Sequence, residues 1–272
     1  MRVVATAVLI LLSTAVYSQN PPDLRNLAVE SFEVVSIKPN HTDTRPTGGM
    51  QPTGRLNIHA TTVAQLLIFA YNGLIVPERM VGIPEWAQRE RYDIVATPAR
   101  AVTDGRAYFR GLLRDRFRLR SHVESREMAV YVMTVRAGGL GPGLWPTRVD
   151  CHDDAAAERA RAQQKADEPK PCSGGYMKAG DASMSWATMN ALATLLSTQL
   201  GRPVINRTNL DGRYDVKMTW SPSLTATAGD NPNDNRAGLF TAVQEQLGLR
   251  LQSDREPIDV LVIDSVERPI EN

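Results

Sequence analysis

The sequence has few cysteines and histidines and almost no net charge, and each of these features excludes a class of protein. The 272 residues include two cysteines and four histidines, and the formal net charge is +1. Removal of a leader that carries Arg2 brings the charge of the mature chain to zero. Such a chain lacks the positive surface that binds phosphate backbones or anionic lipids. We therefore expect no nucleic-acid partner.

The linear motifs of the common enzyme classes are missing as well. The chain has no Gly-x-Ser-x-Gly, His-Glu-x-x-His or Walker signature, and no Gly-x-Gly-x-x-Gly. Two cysteines with only His152 nearby provide too few ligands for zinc. The loop Asp230–Asn235 is acidic but does not follow the ligand order of a calcium loop. We expect neither a cofactor nor a metal site.

Only one long apolar run is present, and it stands at the start of the chain. Arg2 is followed by apolar or small residues from Val3 to Val16 and then by Tyr17-Ser18-Gln19. This pattern predicts a signal peptide over residues 1–18, cleaved after Ser18. The alternative is a membrane anchor, but the run is too short to cross about 30 Å of hydrocarbon. We expect an exported protein, periplasmic or extracellular, with no transmembrane segment in the mature chain.

Export gives the two cysteines a specific meaning. Cys151 and Cys172 form the only possible pair, and an oxidising compartment favours their linkage. A disulfide that closes a loop of this size stabilises a fold by about 3 kcal/mol in the chain-entropy model. We therefore predict a disulfide between Cys151 and Cys172.

The triplet Arg-Tyr-Asp occurs twice, as Arg91-Tyr92-Asp93 and as Arg213-Tyr214-Asp215, each time between two helical patterns. Several blocks recur in the same order around it, which is typical of internal duplication. The predicted fold class is α+β, with two tandem diverged repeats of a strand-helix-strand-helix-strand-strand unit. The predicted boundaries are residues 1–18 for the signal peptide, 19–54 for a lead-in strand and loop, 55–137 for the first α/β repeat, 138–180 for a linker with the disulfide, and 181–272 for the second α/β repeat.

Within each repeat, a threonine cap and the spacing of apolar residues predict the first helix. Thr61-Thr62 precedes one helix and Thr188 precedes the other, and both helices have apolar residues at helical spacing. The remaining expectations are loops at 41–54, around Trp86 and at 221–238, a helix end at Gly73, a second helix over 105–117, an exposed helix within 153–167, and strands 119–124 and 129–136 joined by a turn at Ser125–Glu127.

Four side chains are candidates for ligand binding. Trp86 and Trp145 lie on loops rich in proline and glycine, where ligand contacts concentrate. Arg91 and Arg213 belong to the repeated triplet, and arginine and tyrosine are common in binding hot spots. The alternative is structural: in a strand, Tyr faces one side and Arg and Asp the other, where they can pair with neighbouring strands.

The histidines give only a weak indication of catalysis. His59 and His122 fall in strand patterns, where a solvent-facing or structurally hydrogen-bonded imidazole is the simpler interpretation. A serine-hydrolase site could be built from Ser185, His122 and Asp93 only by assuming a fold that brings them together. We therefore assign no catalytic residues.

Several of these blocks together resemble the "soil-associated protein" family, an exported, acidobacterial-type family built on a domain of unknown function. The similarity covers about residues 31–268, and the linker at 138–180 has no clear counterpart in it. The blocks that carry the resemblance are Phe32–Pro39, Pro84–Trp86 with Arg91–Ala96, Leu112–Phe117 with His122 and Glu124, and Arg202–Ile205 with Leu210–Asp215.

The resemblance implies no established activity and no catalytic residues. Some relatives carry this domain beside a membrane-embedded metallopeptidase of the antibiotic-sensor type, which implies sensing or envelope interaction. We therefore expect an exported, non-enzymatic binding or sensor-type module of the bacterial envelope, whose partner is a protein or another envelope component. The alternative is an exported hydrolase with a Ser/His/Asp-type site assembled from separate strands.

Overall fold

The computed structural model describes residues 24, 26–51, 53–71, 79–102, 104–165, 168–222 and 237–270. The predicted signal peptide, its cleavage point after Ser18, the helix end at Gly73 and most of the predicted loop at 221–238 lie outside these ranges. Helices and strands both contribute to several layers, so the predicted α+β class is confirmed.

The described chain contains helices and strands in a mixed order. The helices are α1 (Val63–Ala70), α2 (Glu85–Arg89), α3 (Gly105–Arg116), α4 (Asp154–Ala162), α5 (Met189–Leu200) and α6 (Leu239–Gln246). The strands are β1 (Phe32–Asn40), β2 (Thr47–Met50), β3 (Leu56–Thr62), β4 (Met80–Val81), β5 (Arg91–Pro98), β6 (Arg120–Val135), β7 (Leu144–Pro146), β8 (Gly175–Lys178), β9 (Asp181–Ala187), β10 (Val204–Asn206), β11 (Tyr214–Thr219) and β12 (Leu249–Ser265).

Two outer sheets have corresponding strand orders. One is ordered β1-β5-β3-β2 and belongs to the first half of the chain, β1 to β6. The other is ordered β7-β11-β9-β8 and belongs to the second half, β7 to β12. All neighbours in both sheets are antiparallel. The interpretation of the halves as diverged repeats of one ancestor stays a prediction.

A central sheet joins the halves. Its order is β10-β6-β12-β4, and β6 and β12 pair antiparallel from Arg120↔Ser265 to Val135↔Leu249. Each long strand also pairs with a short parallel strand of the other half: β6 pairs with β10, and β12 pairs with β4. The halves therefore share one continuous sheet.

The turn predicted at Ser125–Glu127 is wrong. β6 runs through these residues without a break, and Arg126 pairs with Ile258 while Glu127 pairs with Pro257. The side chains of residues 125–127 are exposed, whereas the facing residues of β12 range from exposed Pro257 to buried Ile258. Polar residues therefore mark the solvent-exposed middle of a ribbon here, and they resemble a turn in the sequence.

Two other loop predictions are wrong in part. Residues 47–50 of the predicted 41–54 loop form β2, which pairs with β3. The loop expected around Trp86 contains the short helix α2, with Pro84 at its N-cap. Proline fits there because its fixed φ favours a helix start and its missing N–H removes no helical bond.

The predicted helices and their buried faces are confirmed. Thr62 caps α1 in a capping box with Gln65, and Thr188 caps α5 by accepting a bond from Ala191 N. α3 and α4 lie within their predicted ranges, and α4 buries only Ala157. Capping of this kind satisfies backbone N–H groups that have no partner inside the helix.

Each half has its own hydrophobic core, and each core is completed by a strand of the other half. The first core packs α1 and α3 on the first outer sheet and includes Leu261 and Ile263 of β12. The second packs α5 and α6 on the other outer sheet and includes Met133 of β6. Because each long strand places residues of its C-terminal part in the core of the other half, the two halves are held together.

Candidate binding cleft

The first Arg-Tyr-Asp triplet holds a strained residue of the neighbouring strand in place. Ala60 in β3 has a φ of 53°, in the left-handed region that non-glycine residues seldom adopt. Asp93 Oδ1 accepts bonds from Ala60 N at 3.0 Å and from Asn40 Nδ2 at 2.7 Å. Arg91 Nη1 donates to Ala60 O at 3.1 Å, while Tyr92 is buried in the core. We call Asn40, Ala60, Arg91 and Asp93 the first clamp.

The second triplet makes the same contacts in the other half. Trp186 in β9 has a φ of 57°, and its N–H donates to Asp215 Oδ1 at 3.0 Å. Arg213 Nη1 donates to Trp186 O at 3.3 Å, and Thr147 Oγ1 donates to Asp215 Oδ1. We call Thr147, Trp186, Arg213 and Asp215 the second clamp. Both triplets therefore serve the backbone, in agreement with the structural interpretation, and a binding role for Arg91 and Arg213 stays a prediction.

Hydrogen bonding favours the ionised form of Asp93 in the first clamp. Partial desolvation of Asp93 acts to raise the pKa of its carboxyl group. The bonds from Ala60 and Asn40, together with the nearby imidazole of His59, outweigh this effect, and the pKa of Asp93 is lowered. The carboxylate of Asp93 is therefore the form that the clamp stabilises.

A groove of about 430 Å³ lies near the predicted residues Trp86 and Arg91. Arg91 lines it, and Trp86 lies 4.8 Å from the guanidinium of Arg268, which also lines it. Arg268 forms a two-point ion pair with Glu90, at 2.6 and 2.9 Å. The hydrogen bond from Arg268 lowers the pKa of Glu90, and Tyr92 Oη donates to the same carboxylate at 3.0 Å. Two charged groups of this groove, Glu90 and Arg268, are thus already paired with each other.

A larger cleft of about 710 Å³ lies in the second half and includes the predicted residue Trp145. Its lining comes from two parts of the chain. One part consists of residues on or beside β7, β11 and α6, among them Trp145, Arg148, Asp215, Lys217 and Gln246. The other lies between the two cysteines and contributes Ala160, Gln163, Gln164, Glu168, Pro169 and Pro171. We call this space the binding cleft.

The predicted disulfide is present and closes the segment that forms one side of the binding cleft. Cys151 and Cys172 are bonded, with their Cα atoms 5.4 Å apart. We call residues 151–172 the insertion segment. Ser185 Oγ of β9 donates to Lys170 O at 2.8 Å, which ties this segment to the sheet. The ring of His152 packs edge-on against Trp186, with centroids 4.8 Å apart.

Two cations of the binding cleft form no ion pair with any residue that the structure describes. Lys217 is half-buried on β11, and Arg148 is exposed beside β7. The two carboxylates of the cleft have other partners, because Asp215 belongs to the second clamp and Glu168 lies 3.7 Å from Lys165. A half-buried tryptophan beside such cations is suited to an anionic ligand with an apolar face.

Ser185, His122 and Asp93 belong to three different sheets, each with its own partners. Asp93 lies in the first clamp, and Ser185 holds the insertion segment. His122 lies on the exposed face of β6, where Nδ1 is 2.8 Å from Asp264 Oδ1 and Nε2 is 3.1 Å from Glu124 Oε1. The hydrogen bond to Asp264 raises the pKa of His122, and the hydrogen bond to Glu124 raises it further. This trio is not brought together as a catalytic site.

The described residues contain neither a candidate metal site nor a candidate membrane-spanning helix. In that part of the chain, no group of three or more His, Cys, Asp or Glu side chains could hold a metal ion. None of the helices found there has the length and apolar character needed to cross a bilayer.

Sequence reasoning missed Lys217 and the third partner of each clamp, Asn40 and Thr147. Lys217 could have been found, because strand alternation places it on the face of Asp215 and opposite the buried Val216. Asn40 and Thr147 each follow a proline at the end of an edge strand, β1 or β7. Without the strand register, no local signal links them to the aspartates.

The fold is thus that of an α+β protein with two similar outer sheets, a shared central sheet and one disulfide-bounded cleft. Residues 64–266 match the family described as "Protein of unknown function (DUF3738)". Because this match covers most of the chain, the protein belongs to that family. No curated protein and no solved structure matches the chain.

Proposed function

We propose that this protein is an exported, non-enzymatic binding or sensor-type module of the bacterial envelope, and that the binding cleft is its ligand site. A chain with a disulfide suits an oxidising compartment. The apolar leader and the resemblance to the exported, acidobacterial-type "soil-associated protein" family support the same location. Two ancestral repeats joined through one sheet form the scaffold, and the insertion segment adds the site.

One observation carries the proposal: half-buried Trp145 and Lys217 line the same cleft, and Lys217 has no ion-pair partner in the described chain. The ammonium group of Lys217 is free to pair with a ligand anion, and an ion pair with a hydrogen bond is stronger than a bond between neutral groups. The aromatic ring adds apolar contact area on the same wall. Ligand sites are typically concave and mostly apolar, with a few placed polar groups of this kind.

Fluorine NMR of the mature protein labelled with 5-fluorotryptophan tests the proposal, because the chain has four tryptophans. Trp145→Phe assigns the resonance of the cleft, and buried Trp220 reports on global change. We expect a low-molecular-mass fraction of envelope extract to shift the Trp145 resonance saturably. The bound compound should be recovered with its mass unchanged.

Two results would oppose this function. If no fraction shifts the Trp145 resonance, the cleft is not a ligand site. If the compound is recovered as hydrolysed product, and Trp145→Ala abolishes that hydrolysis, the protein is a hydrolase. Trp86→Ala serves as the matched control because Trp86 lies by the other groove, and it should leave binding intact.

A further inference from the structure

The charged side chains of the binding cleft indicate the charge of its ligand. Lys217 and Arg148 line the same space, and neither has a carboxylate within ion-pair distance among the described residues. The carboxylates present are held elsewhere, Asp215 by the N–H of Trp186 and Glu168 by Lys165. A ligand carboxylate would therefore find two cationic donors that it need not share.

The uncharged lining defines the body of the ligand. Trp145 is half-buried, so part of its ring faces the cleft, and exposed Gln163 offers an amide from the insertion segment. A flat aromatic face gains contact area from a ring with many C–H groups, and an amide both donates and accepts hydrogen bonds. A sugar ring has both features, since it presents C–H groups on its faces and hydroxyl groups around its edge.

Prolines on both sides of the cleft disfavour an extended peptide. Pro142, Pro169 and Pro171 line the cleft, and Pro146 ends β7, the edge strand of this outer sheet. Peptide binding by strand addition requires a row of backbone N–H and C=O groups, and proline has no N–H to offer. Strand addition at this edge is therefore disfavoured, and the charged and aromatic side chains of the cleft are the groups that define its ligand.

We propose that the ligand of the binding cleft is an acidic saccharide, a short chain of sugar rings that carry carboxylates. Trp145 stacks on one ring, and Lys217 and Arg148 bind a carboxylate. Gln163 binds a hydroxyl group. This inference rests on the proposed function, because it names the ligand class of the same cleft.

The test uses trisaccharides of galacturonate, glucuronate and mannuronate, each paired with its carboxyl-reduced, neutral form. The mature protein is titrated by calorimetry and by fluorine NMR at Trp145. We expect at least one acidic trisaccharide to bind saturably and to shift Trp145, and its neutral form to bind about ten-fold more weakly, the usual effect of one charged hydrogen bond. Lys217→Gln should weaken acidic binding by a similar factor and leave neutral binding unchanged.

Lys38→Gln is the matched control, because it removes a lysine charge from the exposed face of β1 in the first half, and it should bind like the original protein. Thermal melting should show that Lys217→Gln is folded. If Lys217→Gln does not fold, Arg148→Gln gives the same test from an exposed position. Equal affinity for acidic and neutral forms would overturn the charge assignment. Binding of an acidic peptide with no response to any of the three saccharides would overturn the saccharide class while leaving the binding function intact.

Discussion

The two clamps share their backbone contacts but differ in what surrounds them. In the first half the left-handed residue is Ala60, and His59 Nδ1 lies 3.6 Å from Asp93 Oδ1. In the second half it is Trp186, stacked 4.1 Å from the guanidinium of Arg213 and covered by His152 of the insertion segment. The clamp is therefore common to both halves. Among the described residues, the second half alone adds a disulfide-bounded segment to the clamp, and that segment forms one side of the larger cleft.

The insertion segment gives the largest expected effect. Replacing both cysteines, Cys151→Ser with Cys172→Ser, removes the closure of a segment with a sequence separation of 21. We expect it to lose up to about 3 kcal/mol of its local stability, because the open chain gains conformational entropy. Hydrogen exchange measured by mass spectrometry should show faster exchange in α4.

The same experiment contains its control in the first half. Amides of α1 and α3 pack in the first core, away from the disulfide, and their exchange should not change. Unchanged protection of α4 would mean that Ser185 and His152 hold the segment without the disulfide. Faster exchange throughout the protein would mean that the segment stabilises the whole fold.

Removing the clamp carboxylates tests whether the clamps are equivalent. Asp93→Ala and Asp215→Ala each leave a left-handed backbone N–H without its acceptor. We expect each to lower the free energy of unfolding by about 1.5 kcal/mol, the lower part of the range for charged hydrogen bonds, because the site is partly exposed to water. Urea denaturation measures both losses. Asp→Asn at each position keeps an acceptor oxygen and should lose less.

The lowered pKa of Asp93 adds a pH dependence to this comparison. A carboxyl group whose pKa is lowered in the folded state contributes stability above its ordinary value of 3.8, and this contribution is lost as the pH falls through the folded pKa. Asp93→Ala should therefore be less sensitive to acid than the original protein below about pH 4. If Asp93→Ala and Asp215→Ala lose clearly different amounts of unfolding free energy at pH 7, the two clamps are not energetically equivalent.

Local patterns allowed the helices and the disulfide to be predicted. Threonine caps and apolar spacing give α1 and α5 with their buried faces, because both signals arise within a few residues of the chain. The disulfide followed from two cysteines and an expected oxidising compartment. The repeated triplet was visible in the sequence, and its structural interpretation agrees with the hydrogen bonds that it makes.

Features that depend on strand pairing could not be predicted in the same way. Residues 125–127 resemble a turn because a water-exposed strand and a turn use similar polar residues, and only the pairing with β12 distinguishes them. The binding cleft joins Trp145 and Lys217 to Gln163, which come from three separate elements or their ends. Its existence depends on where the insertion segment packs, and no spacing along the chain records that.

Substitution of the left-handed residues gives a smaller effect. Ala60→Gly should stabilise the protein by about 0.5 kcal/mol, because relief of a left-handed cost of about 1–2 kcal/mol exceeds the entropy that glycine adds to the unfolded chain. Trp186→Gly should be destabilising, since it also removes the stack with Arg213 and His152. Thermal unfolding measures both variants, and a destabilising Ala60→Gly would show that the methyl group of Ala60 contributes more than the strain.

The smallest effect is expected from His122. This residue lies near one end of the paired strands β6 and β12. Counted from Leu119 and Leu249, the counterparts of His122 and Asp264 are Gln252 and Thr134, which carry no charge. The pKa of His122 is raised by hydrogen bonding to Asp264 and Glu124, so its contribution to stability is complete below the ordinary value of 6.5 and is lost as the pH rises through the folded pKa. We expect a slight fall in stability above about pH 6.5 that His122→Gln removes. An NMR titration of His122 should give a midpoint above that value, whereas a midpoint at or below it would show that Asp264 and Glu124 do not hold the imidazolium.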